Sequence, residues 1–246
     1  MRRFSLLLST SALLSTLIGC GTSESGGIAG TAAPPAERAV TLRLQPKEGE
    51  THTYDATMKM TLGAGEQEMG LDVKMEVVRD VTKVEPGKFT IKESARNVEV
   101  SGTGMLGAMA EQMKNNLQSS TATRVYDERN KMIEGDDGAA AAAGAGNFTA
   151  IYPEKPVKAG DTWSDTLSAQ GTDIKVNYKA EGIEQIAGKD AMKITMDFEP
   201  DNAMKFKGPL TFWVDVESGI PHRAEGTITG EQQGQTIKIE LSMRKK

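Results

Sequence analysis

Residues 53–62 read Thr-Tyr-Asp-Ala-Thr-Met-Lys-Met-Thr-Leu. Tyr54, Ala56, Met58, Met60 and Leu62 share one parity; Thr53, Asp55, Thr57, Lys59 and Thr61 share the other. Successive side chains of an extended chain point to opposite faces, so this stretch makes a strand with one dry and one wet side. The alternation returns at Leu71-Val73-Met75-Val77, Phe89-Ile91, Ile174-Val176-Tyr178, Met192-Ile194-Met196-Phe198, Leu210-Phe212-Val214-Val216 and Ile237-Ile239-Leu241-Met243. Val98 and Val100 stand on the opposite parity from Phe89 and Ile91, which calls for a bulge between them. Turn residues separate the runs at Gly63–Gly65, Glu85-Pro86-Gly87-Lys88, Ala187-Gly188-Lys189, Ser218-Gly219 and Gln233-Gly234. This pattern predicts a mainly β (α+β) fold: a curved antiparallel sheet or half-open barrel, dry on one face.

One segment has a different period. From Gly104 to Gln118 the apolar residues fall at Met105, Met109, Met113 and Leu117, with Leu106 and Ala110 beside them. Steps of four make a helical stripe, so a helix near 104–118 is expected to cover the open face of the sheet. Two uses of that stripe stand side by side. It packs on the sheet as core, or its flexible thioethers line a cavity for an apolar ligand. On the second reading the candidate lining is Met58, Met60, Met75, Met105, Met109, Met113 and Phe212, chosen by parity.

The start of the chain carries an address. Arg2 and Arg3 precede an uncharged, mostly apolar run from Phe4 to Ile18, too short to span a bilayer, which takes about 20 residues. The run ends Leu17-Ile18-Gly19-Cys20, and Cys20 is the sole cysteine. This stretch resembles the bacterial lipobox, which implies acylation of Cys20, palmitate among the chains, and cleavage before it. The expectation is a signal peptide over 1–19 and a membrane anchor at Cys20. Each buried CH₂ contributes roughly 0.8 kcal/mol, so two or more chains hold a protein stably. Gly21 after the cysteine places the protein, by analogy, in the cell envelope and at the outer membrane if the organism has one. Residues 20–38 are small and polar with Pro34-Pro35, a flexible linker spanning roughly 23 Å. The net charge is −5, with 34 acidic against 29 basic residues, and losing Arg2 and Arg3 makes it more negative. An acidic body of this kind argues against nucleic acid as a partner.

Residues 39–246 then form a single β-rich domain, or two β halves, 39–135 and 150–246, joined by the low-complexity stretch 136–149. The halves open alike: Pro46-Lys47-Glu48-Gly49-Glu50-Thr51 and Pro156-Val157-Lys158-Ala159-Gly160-Asp161-Thr162. This is either a remote duplication or shared turn chemistry. The stretches 156–163 (PVKAGDTW) and 42–54 (LRLQPKEGETHTY) resemble a family of uncharacterised bacterial exported lipoproteins. Phe212-Trp213-Val214-Asp215 followed by Ser218-Gly219-Ile220-Pro221 resembles a hairpin of a broader group. That group includes the lipoprotein-localisation carriers and the mycobacterial glycolipid-carrying lipoproteins. The resemblance implies a half-open barrel over helical cover.

Catalytic patterns are missing. His52 and His222 stand among charged neighbours and read as solvated surface histidines. No metal spacing, Gly-x-Ser-x-Gly elbow or phosphate loop occurs. Asp136-Asp137 lacks the alternate acids and closing Glu of a calcium loop, and Asn147-Phe148-Thr149 is a sequon without evident use. Trp213, out of phase with Phe212, is expected on the opposite face of the sheet. The expectation is a non-enzymatic, membrane-anchored lipoprotein with no metal or cofactor. It binds an apolar or amphipathic small molecule or lipid; the alternative is a structural or protein-interaction module with a closed core.

Overall fold

Alternation, bulges and turns assemble into one antiparallel sheet. The computed structural model describes residues 38–64, 67–135, 149–169, 172–199, 205–232 and 235–246. The expected signal peptide, Cys20, the linker up to residue 37 and residues 136–148 lie outside them, as do Asp136, Asp137 and Asn147. The elements are β1 (Thr51–Ala64), β2 (Gln67–Glu85), β3 (Lys88–Gly102), α1 (Gly104–Ser119), β4 (Thr121–Asp127), β5 (Met132–Gly135), β6 (Thr162–Ala169), β7 (Thr172–Ile186), β8 (Lys189–Phe198), β9 (Leu210–Asp215), β10 (Pro221–Gln232) and β11 (Gln235–Lys245).

The strand order is β5-β4-β3-β2-β1-β11-β10-β9-β8-β7-β6. Two meanders therefore meet where β1 pairs with β11, and β5 and β6 are the outer strands. These outer strands are brought together by side chains: Arg129, between β4 and β5, donates to Asp165 of β6, and Lys131 Nζ lies 2.8 Å from the same carboxylate. The sheet therefore curls. Phe89, Ile91 and Tyr126 of β3 and β4 share one buried cluster with Ile174, Val176 and Tyr178 of β7.

The core also takes in two extended segments. Leu42 and Leu44, and Ile151 and Tyr152, are almost fully buried. Leu44 N–H donates to Glu128 O at 2.8 Å, Gln45 N–H to Ser218 O at 2.8 Å, and Tyr152 N–H to Arg129 O at 2.7 Å. These segments plug the end of the sheet at which β1 begins. Gly219 makes this contact possible. A Cβ there would stand 2.0 Å from Arg43 O, and its φ of +65° suits glycine.

The expected bulge lies at Asn97-Val98: Glu76 faces Arg96 and Lys74 faces Glu99, so β3 holds one extra residue, and Asn97 has φ 51°. The two matching sequence stretches make the same turn. Gly49 N–H donates to Val81 O and Val81 N–H to Glu50 O, both at 2.9 Å; Gly160 N–H donates to Ala180 O at 2.7 Å and Ala180 N–H to Asp161 O at 2.9 Å. In each half a register shift follows at once, between Val81 and Lys83 and between Ala180 and Gly182.

Helix α1 packs on β2 and β3. Thr103, before it, ties its start to Gly70 of β2 by two 2.9 Å bonds, one from its N–H to Gly70 O and one from Gly70 N–H to its Oγ1. Leu117 anchors the far end in a second apolar cluster with Met58, Met75 and Val98. Trp213 takes the face opposite Phe212 and donates its Nε1–H to Glu184, with the Arg223 guanidinium 4.6 Å from its ring centre.

Candidate functional site

The register puts one set of residues on the concave face. Ala56 of β1 stands opposite Met75 of β2 and Met243 of β11; Met58 stands opposite Val73 and Leu241. Met243 pairs with Ala224 of β10, which pairs with Phe212 of β9. A cavity of about 40 Å³ opens there, lined by Met58, Met75, Leu210, Phe212, Leu241 and Met243 among others. Around it Met60, Val77, Val100, Ile239, Leu241 and Met243 are only partly buried, although all are apolar. The two buried clusters thus leave a half-covered apolar strip along the middle of the sheet.

The structure brings together three of the seven parity-chosen residues at the cavity: Met58, Met75 and Phe212. Met60 and Met113 pack nearby against the second cluster. Met109 does not line the cavity. It is 48 % exposed, because the helix turns that position away from β2 and β3. Of Met105 only the backbone, in α1, is described. Cys20 lies outside the described residues. Parity could not supply Leu210, Leu241, Met243 and Ala224 as lining, since it does not say which strands become neighbours.

A second feature was illegible in the sequence. At the plugged end of the same face, Glu93 is clasped by two arginines. Its Oε1 is 3.0 Å from Arg79 Nε, and its other oxygen accepts from Arg124 Nη1. Tyr126 adds a hydroxyl donor at 3.3 Å, and its ring lies 5.2 Å below the Arg79 guanidinium. Arg79, Glu93 and Arg124 are all buried. Burial pulls the Arg79 pKa down, but the Glu93 carboxylate outweighs this and holds it above the usual value. Burial pushes the Tyr54 hydroxyl up, against the opposing charge of Arg79.

The histidines are not solvated surface residues. Their side chains are 13 % (His52) and 11 % (His222) exposed, since the plugging segments and the chain end cover this end of the sheet. His52 is lowered by burial and then by Lys245, against Glu50 3.4 Å away. His222 Nε2 stands 3.3 Å from the buried carboxylate of Asp215. Burial lowers its pKa, with Asp215 opposing. A histidine beside a buried carboxylate is an arrangement enzymes use. Here the carboxylate serves the β9–β10 turn. Its Oδ1 accepts the N–H of Glu217 and of Ser218, both at 2.9 Å, and Lys189 Nζ lies 3.2 Å from Oδ2. Burial pushes the Asp215 carboxyl up, but the Ser218 N–H, Lys189 and the Glu217 N–H outweigh it and hold the pKa at about 2.

A larger open cleft, about 700 Å³, runs along Pro153–Asp165. Of its charged lining residues, Arg129 pairs with Asp165 and lies 3.8 Å from Glu154, and Lys131 from beside the cleft pairs with the same Asp165. The PVKAGDTW stretch lies here as a turn: Lys158 N–H donates to Asp161 Oδ2 at 2.9 Å, and Trp163 stacks on Tyr178 at 5.3 Å. Among the described residues no three His, Cys, Asp or Glu side chains gather to hold a metal ion. No described helix is long and apolar enough to cross a membrane.

No protein-family model and no curated protein matches the chain in sequence. A solved structure titled for lipid–protein interactions in lipovitellin is similar in fold, with TM-score 0.56 at 10% identity over 81% of this chain. The chain spans only 25% of that protein's length. A DUF1329 family protein from Desulfovibrio piger aligns over 78% of this chain and 85% of its own, at 10% identity and TM-score 0.20. The chain thus has a mainly β fold of a kind also found in lipovitellin: one open antiparallel sheet of eleven strands with a single helix on it, among the described residues.

Proposed function

We propose that the protein is a non-enzymatic lipoprotein of the cell envelope. It is anchored through Cys20 and binds an apolar or amphipathic molecule on the concave face of a half-open barrel. The observation that carries this is the half-covered apolar strip of β1, β2, β3 and β11, with the cavity beside it. Apolar surface left uncovered in water costs about 25 cal/mol per Å², which a bound tail relieves. The lipovitellin structure supports the reading through its fold and through the lipid–protein interactions it is named for. Incorporation of labelled palmitate, lost in Cys20→Ser, tests the anchor. For the site, the uncharged apolar dye N-phenyl-1-naphthylamine is titrated into the full chain. Saturable fluorescence gain that falls at least fivefold in affinity in Ala224→Leu, which fills the cavity, supports the reading. Absence of saturable binding refutes it.

A second reading has its own observation. Ligand pockets usually enclose about 300–1,000 Å³, and this cavity is about 40 Å³. On that reading the face is a core, and Ala224→Leu stabilises the protein with no dye binding to lose. On the favoured reading the strip must part further to admit a guest.

A further inference from the structure

The concave face changes character along the strands. Ala56, Met75 and Met243 form a rung at the cavity. The next rung towards the start of β1 is Tyr54, Val77 and Lys245; the one after holds His52 opposite Arg79. Rungs on one face are about 7 Å apart. The first cationic groups therefore stand one and two rungs from the apolar cavity.

These groups are short of acceptors. Arg79 is 7% exposed, and its Nη2 is buried without a hydrogen-bond partner. The Tyr54 hydroxyl is fully buried with Arg79 beside it, and a donor beside a donor leaves its proton without an acceptor. His52 Nε2 is buried and its contact with Glu50, at 3.4 Å, is longer than a good N–H···O bond. Lys245 is half-buried and forms no ion pair among the described residues. A buried donor left without an acceptor costs roughly 1–3 kcal/mol, more when charged. Several donors gathered at one end of an apolar strip are what an anion would satisfy.

Resting on the reading that the strip takes an apolar guest, we propose that the guest is an anionic amphiphile. Its tail lies along Met58, Met75 and Met243, and its head group is held by Arg79, Tyr54, His52 and Lys245. Carboxylate and phosphate heads share the needed chemistry: compact oxygens that accept from a guanidinium, a phenol and an ammonium.

The test displaces the uncharged dye from the full chain at neutral pH with dodecanoate, dodecyl phosphate and dodecanol. These share a tail and differ in the head. At least one anion is expected to displace the dye at a tenfold or greater lower concentration than dodecanol, and the tighter anion identifies the head. In Arg79→Leu and separately in Lys245→Met the advantage should shrink to threefold or less while dodecanol is unchanged. An unchanged dodecanol curve also shows that the variant is folded, and Lys245 is exposed enough to be replaced should Arg79→Leu unfold. If dodecanol matches both anions, or the advantage survives in both variants, the head-group site is wrong and the apolar reading stands. If none of the three displaces the dye, the apolar reading itself fails.

Discussion

Glu93 forms ion pairs with two guanidiniums where water does not reach. Removing one partner of a buried ion pair leaves an uncompensated charge and costs about 3–5 kcal/mol. Glu93→Gln should therefore lower unfolding stability by about that amount in urea, whereas Glu181→Gln, at an exposed pair with Lys179, should change it by less than about 1 kcal/mol. Asp215 and the histidines set the acid limit. The Asp215 pKa is about 2 when folded against 3.8 ordinarily. Its contribution, on the order of 2 kcal/mol, is present above pH 4 and lost as pH falls towards 2. His52 and His222 are lowered from 6.5. The unfolded chain takes up their protons first, so stability also drops as pH falls below about 6.5. Urea midpoints should fall in two stages, and His52→Gln with His222→Gln should remove the upper one. None of this was readable beforehand. Arg79, Glu93 and Arg124 occupy positions that alternation gives to apolar side chains, and only the register shows that they meet.

Helix α1 was legible because Gly107, Glu111 and Asn115 interrupt the parity of Met105, Met109, Met113 and Leu117, which a strand would keep apolar, and the helix has a floor in β2 and β3. Leu117, 2% exposed, is the position where that contact is tightest. Leu117→Ala should cost about 2–5 kcal/mol, while Met109→Ser, at an outward position, should stay within about 0.5 kcal/mol; thermal unfolding distinguishes them. The strands that could be read were those with uninterrupted apolar parity. β4 was hidden because its inward residues are Ala122, Arg124 and Tyr126, and β6 because Asp165 stands between Trp163 and Leu167. β10 carries Gly226 and Gly230 on its inward parity. Gly226 is required there: a Cβ would stand 2.3 Å from Pro209 O and 2.7 Å from a Leu210 methyl. Leu210 thereby settles onto β10 and shapes the cavity wall.

At the scale of the whole molecule, the seam between β1 and β11 joins the two meanders and carries the apolar strip. The plugged end is closed by the segments around Leu42 and Tyr152, whose hydroxyl donates to Gly219 O at 2.5 Å. Alternation established that a dry face exists. It did not establish that the first strand pairs with the last, and this pairing places Met58 beside Leu241 and Met243. The central claim is that the strip holds an amphiphile. Native mass spectrometry of the full chain, extracted gently from its own membrane, addresses it directly. A population heavier by the mass of one bound amphiphile, and diminished in Ala224→Leu, is the expected result. Bare protein alone, under conditions that keep the fold intact, would contradict the account.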